Sequence, residues 1–224
     1  MTQSHKRQQS GFTMIELLIA MTVFSVVVIV ITVSVIQFSK QYYKGVISTA
    51  TQNAARTITD DIARSIQFNS GGVTGIPNGP PSGYKGYCVG DSKMYSFELY
   101  QQVTDSGAGP NHQGYHGLVS STVSGCNTNS LPLTVKTLGT LNPAKNQREL
   151  LAQHMRLAKF SITSSGGLEI IDVKVVYGDD DLLTNPVGLN PNNLDSPDIN
   201  CKSTAGSQFC AVAELTTAVQ KRVK

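Results

Sequence analysis

The stretch Gly11–Phe38, GFTMIELLIAMTVFSVVVIVITVSVIQF, decides the architecture of this chain. From Phe12 to Phe38 its 27 residues contain one ionisable group, Glu16. At about 1.5 Å rise per residue they make roughly 40 Å of helix, enough to cross a bilayer. A buried core helix is normally shorter and flanked by caps. Basic residues stand on both sides, Lys6 and Arg7 before and Lys40 and Lys44 after, so the charge pattern sets no orientation.

The order of features around Gly11 is the reverse of a secretory signal, in which small residues follow the apolar core and the core is discarded. Here the small residue lies between a polar leader and the apolar run, so a cut at Gly11 keeps the membrane segment. A carboxylate inside such a segment costs up to about 3 kcal/mol at the centre and less near an end, so Glu16 is tolerable but needs a partner. The nearest cation is the amine that a cut before Phe12 would create, on the same chain or a neighbour.

The leader GFTMIELL with its short basic prefix resembles the class III leader of type IV pilins and type II secretion pseudopilins. The resemblance implies that a prepilin peptidase on the cytoplasmic side cuts between Gly11 and Phe12 and that the amine of Phe12 is methylated. It also implies that Glu16 pairs with the Phe12 amine of a neighbouring subunit, setting axial register during assembly. A subunit that keeps this acid is expected to sit below another in the filament. Many major pilins carry a proline midway along the membrane half, where this chain has Val33.

Beyond Phe38 the helical pattern continues. Tyr43, Ile47, Ala50, Ala54, Ile58, Ile62 and Ile66 recur at steps of three and four, opposite Gln52, Arg56, Thr59, Asp60 and Arg64. Both halves predict one helix of more than fifty residues, with an amphipathic part over 39–68; the drifting steps lack the leucine heptads of a coiled coil. The next stretch, 69–86, is rich in Gly, Pro, Ser and Asn and reads as a loop; no Lys-Ser or Lys-Thr pair makes it a phosphate cradle.

Residues 87–224 read as a β-rich extracytoplasmic head. Tyr95, Phe97 and Leu99 alternate, as do Leu133, Val135 and Thr137, and, less regularly, Met155, Leu157 and Phe160. A hairpin turning at Ser164–Gly167 follows, with Ile171, Val173, Val175 and Tyr177 on one face of its second strand and Asp172 and Lys174 on the other. A last strand lies within FCAVAELTTAVQKRV. One-sided alternation predicts an antiparallel sheet covered by the amphipathic helix, an α+β fold of the type IV pilin kind. Within the head, Glu149, Leu150, Leu151, Tyr177, Gly178 and Asp180 are similar to a pattern of W-type minor pilins and J-type minor pseudopilins.

The four cysteines, Cys88, Cys126, Cys201 and Cys210, all fall in the head, an even number that favours two disulfides. Of three connectivities, Cys88 with Cys126 and Cys201 with Cys210 is favoured, because the second pair brackets the turn-like KSTAGSQF. Spacing and neighbours do not suggest zinc. Asp179, Asp180 and Asp181 are weak calcium candidates that lack the alternating spacing and distal Glu of a calcium loop. His112 and His116 lie in a glycine-rich stretch and read as solvated loop residues. There is no nucleophile elbow, metalloprotease helix or Walker pattern, so an enzyme is not expected, nor a cofactor.

The expected function is therefore that of a minor pilin or pseudopilin in filament initiation or a tip complex. Its partners would be other pilin-like subunits, the prepilin peptidase, an inner-membrane assembly platform with its ATPase, and membrane lipid before assembly. The head would be extracytoplasmic on a single-pass anchor, then part of a surface or periplasmic filament. Retractile pili, type II secretion pseudopili and competence (DNA-uptake) pili all fit the leader. The alternative is a signal-anchored adhesin or binding module. A net charge of +3, from 18 basic and 15 acidic residues, does not support DNA or another surface ligand as a partner.

Overall fold

In the computed structural model the described residues are 12–69, 71–76, 85–104, 114–126, 141, 146–184, 199–203 and 206–222. They include one long helix, α1 (Met14–Phe68), and eight strands: β1 (Val73–Ile76), β2 (Lys85–Val89), β3 (Lys93–Phe97), β4 (Leu118–Thr122), β5 (Arg148–Glu149), β6 (Met155–Ser165), β7 (Leu168–Tyr177) and β8 (Ala211–Gln220). The chain divides into two compact units, Met1–Tyr42 and Tyr43–Lys224, the second being the head.

In the first unit every described residue from Phe12 to Phe38 is exposed, and α1 is the helix long and apolar enough to cross a membrane. An apolar surface of this length is not left to water by a soluble domain. The protein is anchored in the membrane by a single pass of this helix. Three of its hydroxyl side chains do not interrupt the apolar face: Ser25, Thr32 and Ser34 each donate to the carbonyl four residues back at 2.8 Å, so none of the three needs a partner from lipid.

In the head, the buried residues of α1 are Thr51, Ala55, Ile58, Thr59, Ile62, Ser65 and Ile66. The predicted stripe holds from Ile58 to Ile66, but Ala50 is exposed and Thr59, assigned to the polar face, is buried. Thr59 can enter the core because its Oγ1 donates to the Ala55 carbonyl at 2.8 Å, leaving its methyl as the surface it presents. The aliphatic residues of this face share one core with Val89, Tyr95 and Phe97, with Leu157, Phe160 and Ile162, and with Ile171, Val173, Val175 and Val219. Phe160 stands edge-on to Phe97 at 4.8 Å, joining residues of the two sheets.

The strands form two antiparallel sheets rather than the single one expected: β1-β2-β3-β4-β5 and β6-β7-β8. The join is a parallel bridge between Leu99 and Leu157, extended by Tyr100 N–H to Leu157 O and Val103 N–H to Met155 O. Leu99 thus belongs to this crossing segment, and β3 ends at Phe97. Strand β1 lies inside 69–86, where composition predicted only loop, and β2 begins there at Lys85. Val73–Ile76 is extended because it pairs with Gly86–Val89, a long-range term that local Gly and Pro content hides. The Leu133–Thr137 alternation lies outside the described residues.

The β6–β7 hairpin forms as read, with a tighter turn of two residues. Gly166 and Gly167 have φ of 60° and 82°, the pair of left-handed conformations that a two-residue turn needs to match strand twist. Its register runs from Ser165 opposite Leu168 to Met155 opposite Tyr177, with one irregularity between Leu157 and Lys159 that lets Ala158 bulge. The cysteines pair as Cys88 with Cys126 and Cys201 with Cys210, at Cα separations of 5.9 and 5.7 Å.

Candidate functional site: the processing and assembly segment

Gly11 lies outside the described residues, so the site is described from Phe12 onward. Phe12 and Thr13 are not helical, and α1 starts at Met14. The Thr13 carbonyl accepts from the Glu16 N–H at 3.1 Å and from the Leu17 N–H at 3.2 Å, closing the first turn. Phe12 is 82% exposed.

Glu16 lies in the first turn of α1 and is exposed. Two interactions suit it there. The free N–H groups of a helix start carry a partial positive charge that stabilises an acid by about 0.3–1 kcal/mol. Thr13 and Glu16 also have the Thr-x-x-Glu spacing of a capping box, a signal that the leader motif overlaps and obscures. Neither uses up a carboxylate with two oxygens and about four acceptor positions, so Glu16 keeps capacity for a cation brought by another chain.

The family model described as the prokaryotic N-terminal methylation motif matches residues 6–32. The chain carries a class III prepilin leader. It is the kind of leader that type IV pilins and pseudopilins carry; the motif supports a pilin-like precursor and implies prepilin peptidase and other pilin subunits as partners. The match covers the second half of the leader and most of the membrane half of the helix, and the head lies outside it. No curated protein and no solved structure matches the chain.

The other residues singled out in the sequence are dispersed in the head, each with a local task. Glu149 is a clamp: its Oε1 accepts from the N–H groups of Leu118 and Leu151, its Oε2 from that of Gly117, all at 3.0 Å. His116, read as a solvated loop residue, is instead buried beside this carboxylate, Nδ1 to Oε2 3.2 Å. His112 lies outside the described residues. Asp179, Asp180 and Asp181 do not converge. Asp179 accepts from Gln102 at 2.9 Å, Asp180 from the buried Arg156 at 2.5 Å, and the Asp181 carbonyl from Lys202 at 2.9 Å. Among the described residues no three His, Cys, Asp or Glu side chains gather as a metal site.

Sequence reading missed Asp61, which ties α1 to the first sheet. Its carboxylate accepts from the Tyr95 hydroxyl at 2.8 Å and from Lys93 Nζ at 3.1 Å, with Arg148 at 3.4 Å. The Tyr95 oxygen also lies 2.7 Å from Ser65 Oγ. Burial raises the Tyr95 phenol pKa most; the Ser65 hydrogen bond opposes this, and the Asp61 charge adds to it. The only trace of this cluster in sequence is an aspartate beside the apolar stripe, which any solvated face also shows.

Proposed function

We propose that the protein is a minor pilin or pseudopilin, cut between Gly11 and Phe12, methylated on Phe12, and inserted into a type IV filament through α1. The observation that carries this reading is the methylation motif at residues 6–32, which overlaps an apolar helical surface exposed from Phe12 to Phe38. Within a membrane lipid covers that surface; on leaving it, the helices of other subunits take its place. Glu16 selects the register by accepting the Phe12 amine of a neighbour, because an unpaired carboxylate buried among helices costs several kcal/mol. The head contributes to initiation or a tip complex and acts without catalysis or cofactor; the assembly platform supplies the work of extraction.

Two measurements test this. Mass spectrometry of the protein co-expressed with a prepilin peptidase gives an amino terminus at methylated Phe12; a chain starting at Met1, or cut elsewhere, refutes the processing. The Glu16→Val variant remains inserted and cut but is absent from sheared filaments, and normal incorporation refutes the role of Glu16.

A further inference from the structure

Each sheet of the head has two edges, and among the described residues three of the four are blunted. Strand β1 has four residues and β5 two. On β6 the stretch Met155–Leu157 is taken by the crossing segment, through Tyr100 N–H to Leu157 O and Val103 N–H to Met155 O, and the irregularity before Lys159 breaks the line of the rest. Strand β8 differs. Its ten residues keep an unbroken register with β7, from Ala211 opposite Tyr177 to Gln220 opposite Leu168, with no proline or glycine and one ionisable side chain, Glu214. Alternate residues of an antiparallel edge turn their N–H and C=O groups outward, and among the described residues no backbone bond meets those of β8.

The core side of β8 is also unfinished. Its odd-numbered residues turn toward the core, and Ala213 and Val219 belong to it, but Leu215 and Thr217 are only half-buried. Their neighbours on β7, Val173 opposite Leu215 and Ile171 opposite Thr217, are fully buried. The core therefore stops at the middle of β8 for want of a next strand, and a leucine is left beside open backbone groups. A strand that continues the sheet supplies what both the backbone and the leucine lack.

We propose that the next strand is β8 of a second copy of this chain, antiparallel across a two-fold axis centred on Leu215, which joins the three-stranded sheets of two heads into one. The strand's own pattern selects this occupant. Opposite residues of paired strands share a face, so two copies join without turning one core face to water only if odd residues meet odd and even meet even. A centre on Leu215 meets this condition and sets the two half-buried leucines against each other. It also places Glu214 opposite Thr216 and Val212 opposite Ala218, so no acid meets an acid and a larger side chain meets a smaller one, and each pair occurs twice because the interface is isologous. A centre on Glu214 would bring the two acids together, and one on Thr216 would set each Leu215 against Thr217. The pairing uses the head alone and is separate from the packing of α1.

The full-length chain in detergent tests the pairing. All four native cysteines are in disulfides, so a single introduced cysteine supplies the free thiol. A short bifunctional maleimide joins Leu215→Cys chains, whose Cβ atoms stand about 5 Å apart across the axis. It does not join Gln220→Cys chains, whose positions lie roughly 33 Å apart. Equal yields at the two positions mean random collision and overturn the proposal. The exposed Thr216 gives a second arm that leaves the core untouched. Thr216→Glu sets an acid against each Glu214 and raises the dimer dissociation constant, measured by sedimentation equilibrium, about fivefold, while Thr216→Lys lowers it by a similar factor, each through two symmetric charge pairs. Asp172, which accepts from Thr216 at 3.1 Å, belongs to the same copy and biases monomer and dimer alike. A dimer that ignores the sign of this charge is held by α1 and overturns the proposal, as does a chain that stays monomeric.

Discussion

Replacing Asp61 by alanine tests whether its carboxylate fastens α1 to the first sheet. A carboxylate only accepts, so the Tyr95 hydroxyl donates to Asp61 Oδ2 at 2.8 Å and remains free to accept from Ser65. A hydrogen bond to a charged partner contributes about 1.5–3 kcal/mol. The Lys93 pair, with side chains 28% and 22% exposed, adds less than about 1 kcal/mol, and Arg148, 62% exposed, adds nothing measurable. Asp61→Ala is therefore expected to lower the stability of the head by about 2–3 kcal/mol in urea titrations followed by circular dichroism. Tyr95→Phe alone is expected to cost about 2 kcal/mol, and the double variant to fall short of the sum by about 1–2 kcal/mol, because both changes delete the same bond. Additivity within about 0.5 kcal/mol would refute the clamp. The pH dependence supplies an independent arm. The folded phenol is raised above its ordinary value near 10, so its contribution is complete below about pH 10 and declines above it, where the unfolded chain ionises first. The slope is about 1.4 kcal/mol per pH unit, and Tyr95→Phe removes that slope.

Three further outcomes follow from the head. Opening Cys88–Cys126 by Cys→Ser substitution is expected to cost about 4 kcal/mol in the chain-entropy account and opening Cys201–Cys210 about 2.7 kcal/mol, since they close loops of different length; calorimetry checks the order. Asp180→Asn, which leaves the Arg156 guanidinium, only 2% exposed, without its anionic partner, is expected to cost about 3–5 kcal/mol, and Arg156→Ala less in electrostatic terms because water reaches the half-exposed carboxylate that it leaves; equal losses in urea titration would contradict this. Gly167→Ala is expected to cost about 1–2 kcal/mol although no atom lies within 4 Å of the added carbon, because the penalty belongs to the backbone, while Gly166→Asn is close to neutral; thermal melting separates the two.

What the sequence disclosed divides by the range of the interactions involved. The end of α1 at Phe68, the Ile58–Ile66 stripe and the β6–β7 hairpin were legible because each is set by local periodicity or by two adjacent glycines. Strand β1 was not, since its extended form comes from pairing with β2, and neither was the burial of Thr59, where a hydroxyl bonded to its own helix behaves as apolar. The division into two sheets depends on Leu99 meeting Leu157, a contact with no local pattern. At the candidate site Glu16 stood out because one charge interrupts an apolar run. Asp61 did not, being one more acid on a helix until the fold brings it to the Tyr95 hydroxyl.

In both sheets each strand pairs with the one before it in the chain. A chain made from its amino end can therefore complete the first sheet, and close Cys88–Cys126, before the residues of β6 to β8 arrive. Until then Ile58, Ile62 and Ile66 lack the cover of Ile171, Val173, Val175 and Val219. The vulnerable period of maturation is thus the interval between the two sheets, when a helix already fixed in the bilayer presents an open apolar seam to its neighbours.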